Sequence, residues 1–153
     1  MKKGLLYILV LICCGFVFSG CIKNGTDRTI NPSMTGDIGS YNFNATYVEP
    51  STLKPQMSDS TTSLIITGLD QTTGNKIILT IAKFTNTTGN FSVADRKAIA
   101  GYVHGGSLDP AASGVITIKE IGANVITGYF TMVTLGGVSV TNGSFVVGKP
   151  WVF

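Results

Sequence analysis

Apolar side chains fall on alternate positions along much of this chain, and that period of two decides what it can fold into. Tyr41, Phe43, Ala45 and Tyr47 alternate with Asn42, Asn44 and Thr46. Such spacing puts one set on one face of an extended segment, so it predicts a half-buried strand and argues against an amphipathic helix. Ser63 to Leu69 and Lys76 to Phe84 are β-branched and apolar, and Asp70-Gln71-Thr72-Thr73-Gly74-Asn75 separates them. They read as a hairpin with a longer loop. Asn86 to Asn90 is the next turn, Phe91 to Val93 a short strand, and Ala94 to Ala98 room for one helical turn. Ala98 to His104 is a strand ended by Gly105-Gly106. Strands then follow over Gly114 to Ile121, Val125 to Val133, and Val138 onward through Asn142-Gly143 to Val147. Asn142-Gly143 fits either a hairpin turn or a bulge inside one longer strand. The pattern predicts an all-β domain over residues 40–153, an antiparallel β-sandwich or partly closed barrel of about eight strands.

The N-terminus differs. Lys2 and Lys3 precede an apolar run from Leu5 to Phe18, followed by Ser19-Gly20-Cys21. Two cations, an apolar core and small residues before a cleavage point describe a secretory signal peptide over residues 1–20. The run is shorter than the ~20 residues a spanning helix needs. Cys21 directly after the small residues resembles a bacterial lipobox, whose cysteine is acylated and becomes the mature N-terminus. The plainer alternative is cleavage without lipid. Residues 21–39, rich in Asn, Gly, Thr, Ser and Pro, follow no period and read as a lipidated flexible tether.

The chain has three cysteines, at 13, 14 and 21. The first two leave with the signal peptide and the third carries lipid, so the mature fold is expected to hold neither disulfide nor thiolate metal ligand. Eleven basic and eight acidic residues give a net charge of +3. Without Lys2 and Lys3 the balance is nine to eight, which provides no electrostatic footprint for nucleic acid.

Catalytic signals are sparse. His104 is the single histidine, and a lone histidine at a strand end is more often a surface residue than a base. Asp27, Asp37, Glu49, Asp59, Asp70, Asp95, Asp109 and Glu120 are scattered, with no calcium-loop spacing. Most fall in turns, where Asp bonds local backbone. A glycosidase-type carboxylate pair would have to converge through the fold. No phosphate loop, nucleophile elbow or cofactor motif is present. Asn24, Asn44, Asn86, Asn90 and Asn142 begin Asn-x-Ser/Thr triplets that Thr- and Asn-rich composition explains. Asp59-Ser60-Thr61 resembles the short O-glycosylation site of Bacteroidota secreted proteins, with Ser60 or Thr61 as acceptor. Pro150-Trp151-Val152-Phe153 reads as a tail folding back over the core edge. An exposed aromatic patch, or the terminal mark of a membrane barrel, is the alternative.

Six segments recur in a recognisable order: Tyr41-x-Phe43-x-Ala45, Leu64 to Gly68, Ile77-x-Leu79-x-Ile81, Ser113 to Ile118, Ile126 to Phe130, and Val140 to Phe145. With the lipobox, this order resembles a family of short Bacteroidota lipoproteins of uncharacterised function. The resemblance implies an all-β domain, stable attachment by two or three acyl chains, and no catalytic residues. Relatives place an Asn-Gly turn and a Trp soon after the first strand, where this chain has Val48-Glu49-Pro50. Ile22 after the cysteine favours the outer membrane, and Ile22-Lys23-Asn24 lacks an acidic surface-export run, which favours the periplasmic side. The expected function is therefore a non-enzymatic, lipid-anchored binding or structural module meeting a glycan or protein. The alternatives are a hydrolase of envelope glycans or a small subunit of an envelope assembly.

Overall fold

A computed structural model of the chain describes residues 30–53 and 62–150. Residues 1–29, 54–61 and 151–153 lie outside them, and with these the signal peptide, Cys21, Ser60, Thr61 and the aromatic tail. The described residues contain no helix and form ten strands: β1 (Ser33–Ile38), β2 (Tyr41–Asn44), β3 (Tyr47–Leu53), β4 (Ser63–Leu69), β5 (Lys76–Ile81), β6 (Gly89–Ser92), β7 (Ala98–His104), β8 (Ser107–Ile121), β9 (Val125–Thr134) and β10 (Ser139–Gly148). All pairings are antiparallel. The lateral order is β2-β1-β10-β9-β8-β7-β5-β4-β3, with β6 on β8. The all-β reading holds, with ten strands instead of about eight.

The sheet curls because β8 serves two halves. Ser107 to Pro110 pair with β7, whereas Val115 to Ile118 pair with β6 on that same edge. Between them the register against β9 shifts at Ala111–Ser113. Pro110 has no N–H to give a ladder, and its carbonyl accepts from Leu135 N at 2.8 Å. Extra residues at a shift bend the strand and sharpen its twist. At the far side the two free edges meet. Ala45 N donates to Met34 O of β1 and the next amide, Thr46 N, to Leu69 O of β4, both at 2.9 Å. Consecutive amides thus bond to opposite halves, giving a partly closed barrel.

Alternation supplies the interior. Met34, Phe43, Leu64, Ile66, Ile77, Leu79, Ile116, Ile126, Phe130 and Phe145 are all at most 2% exposed. Two aromatic–glycine pairs set the approach of β9 and β10. Phe145 lies opposite Gly128, and Phe130 opposite Gly143. A Cβ on Gly128 would stand 2.1 Å from Thr117 O and 2.5 Å from the Phe145 ring, so only glycine admits the ring.

Three expectations change. Residues 33–38, read as tether, are β1: Met34 and Gly36 face the core on alternate positions, but glycine and Asp37 mask the apolar period. The stretch Tyr41–Tyr47 is two strands broken at the corner Ala45–Thr46. Residues 93–96 form a turn, not a helical one, because Arg96 adopts φ 57° and a right-handed helix cannot continue through that conformation.

Candidate functional site

The bulge in β10 shapes the outer face. Between Val140 and Gly143, two β10 residues oppose a single β9 residue, Thr131. Gly36 of β1 likewise lies between the pairs Thr35↔Ser144 and Asp37↔Thr141. Asn142 takes φ 50°, a left-handed conformation that Asn tolerates better than most residues. Its amide Nδ2 donates to Asp37 Oδ2 at 2.8 Å. The Asn-Gly pair is therefore a bulge within one strand.

Beside it runs a lateral row of outward side chains. Asn90 of β6 faces Thr117 of β8, and Thr117 faces Tyr129 of β9. Tyr129 faces Ser144 of β10, Ser144 faces Thr35 of β1, and Thr35 faces Asn44 of β2. Six strands contribute one side chain each, spanning about 24 Å at the usual strand spacing. Two links are hydrogen bonds: Thr117 Oγ1 donates to Asn90 Oδ1 at 2.9 Å, and Thr35 Oγ1 lies 2.9 Å from Ser144 Oγ. Tyr129 stands at the centre, 49% exposed. Lys119 Nζ donates to its hydroxyl at 3.2 Å and sits 5.5 Å from the ring centroid. A shallow groove of about 420 Å³ lies along the row's centre, lined by Val115, Thr117, Tyr129, Thr131, Asn142 and Ser144 among others. It combines an exposed ring with groups that both donate and accept hydrogen bonds. Among the described residues no carboxylate lines it.

A second groove of about 440 Å³ lies beyond Asn90, which lines its edge together with Phe91, Thr87, Lys83, Arg96 and Lys97. Ala82 N donates to Lys97 O, and Lys97 N to Ser92 O, each at 3.1 Å. The first bond holds the β5–β6 and β6–β7 connections against one another, and the second closes the β6–β7 turn.

Asp70 and His104 meet at a third place, the β4–β5 loop. Asp70 is 6% exposed. It accepts from Tyr41 Oη, from Thr73 Oγ1 at 2.8 Å and from Thr72 N at 2.9 Å. The Tyr41 hydroxyl above all, then Thr73, pull its pKa down to about 2. Next to it, burial chiefly, then Tyr41 and Asp70, push the Tyr102 hydroxyl above its ordinary value. His104 stacks on Tyr102 at 5.9 Å and its Nδ1 lies 2.9 Å from Asn75 Oδ1, so the ring donates from Nδ1. With its lone pairs taken up by donors, Asp70 acts as the clamp of a loop. Asp109 accepts from Gly136 N at 3.0 Å across the β9–β10 turn. Among the described residues no three of His, Cys, Asp or Glu cluster as metal ligands would.

Sequence reasoning passed over the row. Tyr129 and Thr117 are visible as outward positions, but Asn90, Thr35 and Asn44 join them only through the β6–β8, β1–β10 and β1–β2 pairings. No family model matches the chain, and no curated protein or solved structure matches it either.

Proposed function

We propose that the protein is a lipid-anchored envelope module, held to the outer membrane through Cys21 on the periplasmic side, that binds a glycan without transforming it. The continuous row from Asn90 to Asn44, with Tyr129 at its centre, carries this reading. A sugar ring offers an apolar face to an aromatic ring and hydroxyls around its rim. Tyr129 suits the first, and the hydroxyls and amides of Thr117, Ser144, Thr131 and Asn142 suit the second. A ligand lying across the strands would meet such groups at every strand spacing, as an extended polysaccharide requires. The side chains are held by a rigid sheet, which lowers the ordering cost of binding. A hydrolase is less favoured, because neither groove is lined by a carboxylate.

Affinity electrophoresis of the full chain in detergent, through gels containing soluble β-glucan, xylan or mannan, tests the reading. At least one polysaccharide should retard the protein. Tyr129→Ala should weaken that retardation at least tenfold with an unchanged melting temperature, since a half-exposed ring contributes little to the core. Equal retardation of Tyr129→Ala, or none for the parent, overturns the proposal.

A further inference from the structure

From the second groove we infer that the preferred glycan is acidic, and that its carboxylate or phosphate is taken by Lys83, Arg96 and Lys97 at the β6 end of the row. The inference rests on the glycan-binding reading above and names the class of ligand. Four observations converge on it. First, the groove is continuous with the row through Asn90, which bonds Thr117 on one side and lines the cationic groove on the other. Second, three cations and, among the described residues, no carboxylate line one groove, although the chain without Lys2 and Lys3 is close to charge balance. Among the described residues none of the three has an ion-pair partner.

Third, two of the three cations occupy left-handed backbone, Lys83 at φ 52° and Arg96 at φ 57°. That conformation is unfavourable for a side chain with a Cβ and is readily adopted by glycine or asparagine. The chain nevertheless places its long basic residues there, at the two turns whose backbone bonds close the groove. Sparsely populated backbone conformations of this kind cluster at binding and catalytic sites. Fourth, the remaining lining suits a sugar. Phe91 is half-buried and fixed edge-on against the core residue Phe84, with ring centroids 6.2 Å apart. It offers an apolar surface, and Thr87, Thr88 and Asn90 supply hydrogen-bonding groups around it. The size lies within the range of small-ligand sites.

The test compares tri-galacturonate with its fully methyl-esterified form, which keeps the rings and removes the charge. Binding to the full chain in detergent is measured by calorimetry at low and moderate salt. The variants are Lys83→Asn/Arg96→Asn, chosen because asparagine accepts the left-handed backbone, and separately Tyr129→Ala. The acid should bind at least tenfold more tightly than the ester, and the advantage should shrink as salt is raised. The double asparagine variant should lose the advantage and retain binding of the ester, whereas Tyr129→Ala should weaken both ligands. Equal binding of acid and ester by the parent overturns the inference and leaves the glycan-binding reading intact. An acid preference that survives in the double variant also overturns it. Failure to bind either sugar, or binding of anionic phospholipid vesicles in their place, removes the inference together with its basis.

Discussion

Asp70 links the β4–β5 loop to Tyr41 of β2, and both Asp70 and Tyr102 couple stability to pH. The Asp70 carboxylate is held at a pKa of about 2 by donors from Tyr41 and Thr73, below the value near 3.9 of an unfolded chain. Between those values the folded state binds fewer protons than the unfolded one. The stabilisation is therefore complete above about pH 5 and is lost as pH falls toward 2. Tyr102 has the opposite sign. Its folded pKa is raised by burial, so its contribution is complete below about pH 10 and is lost as pH climbs through the folded value. Urea midpoints measured across pH should fall on both flanks. Asp70→Asn should flatten the acid flank and Tyr102→Phe the alkaline one, each leaving the other flank in place. Persistence of the acid flank in Asp70→Asn would assign it elsewhere. Sequence reading placed Asp70 in a turn and stopped there. Its first partner, Tyr41, is 29 residues away and becomes visible only when β2 folds beside the β4–β5 loop.

Among the elements, β10 shows what a strand gains from an irregularity. A strictly alternating β10 would carry Asn142 inward, since Val140 is buried. The bulge inserts a residue, turns Asn142 outward and restores Phe145 and Val147 to the core. The left-handed φ at Asn142 explains the residue choice and gives a prediction. Asn142→Gly should change stability by only a few tenths of a kcal/mol, because glycine adopts this φ without strain and only the exposed bond to Asp37 is lost. Asn142→Ala should cost about 1–2 kcal/mol, read as a lower urea midpoint at constant slope. Equal stability of the two variants would mean that the backbone is not strained there. Elements rich in β-branched and apolar residues, such as β4, β5 and β9, were legible from residues alone. Those that rely on glycine or proline were not: β1 hides its inward face behind Gly36, and β8 reads as starting at Gly114 because Pro110 interrupts its first half. Local propensity is a weak guide where neighbouring strands supply the pairing.

The whole molecule adds what no element holds, a row of side chains assembled across six strands. Row and cationic groove depend on pairings between strands far apart in sequence, with Thr35 and Ser144 separated by 109 positions. Alternation shows which residues face outward, but not which of them stand side by side; that is fixed by the order of strands in the curled sheet. The length of chain before β1 bounds how far the row can stand from Cys21. The β1 member, Thr35, lies two positions past Ser33, where the strand begins. Twelve residue steps join Cys21 to Ser33, and fully extended they reach about 40 Å. On the proposed anchoring, this end of the row is confined to that distance of the bilayer surface, within reach of glycans packed against the envelope. On that proposal, confinement rests on acylation of Cys21. Cys21→Ser should therefore abolish incorporation of labelled palmitate and move the protein from the membrane to the soluble fraction. Its affinity for soluble polysaccharide should stay unchanged, because the row does not include the anchor. Membrane retention without label would point to attachment through the barrel itself, and label persisting in Cys21→Ser would place the acyl chain on another residue.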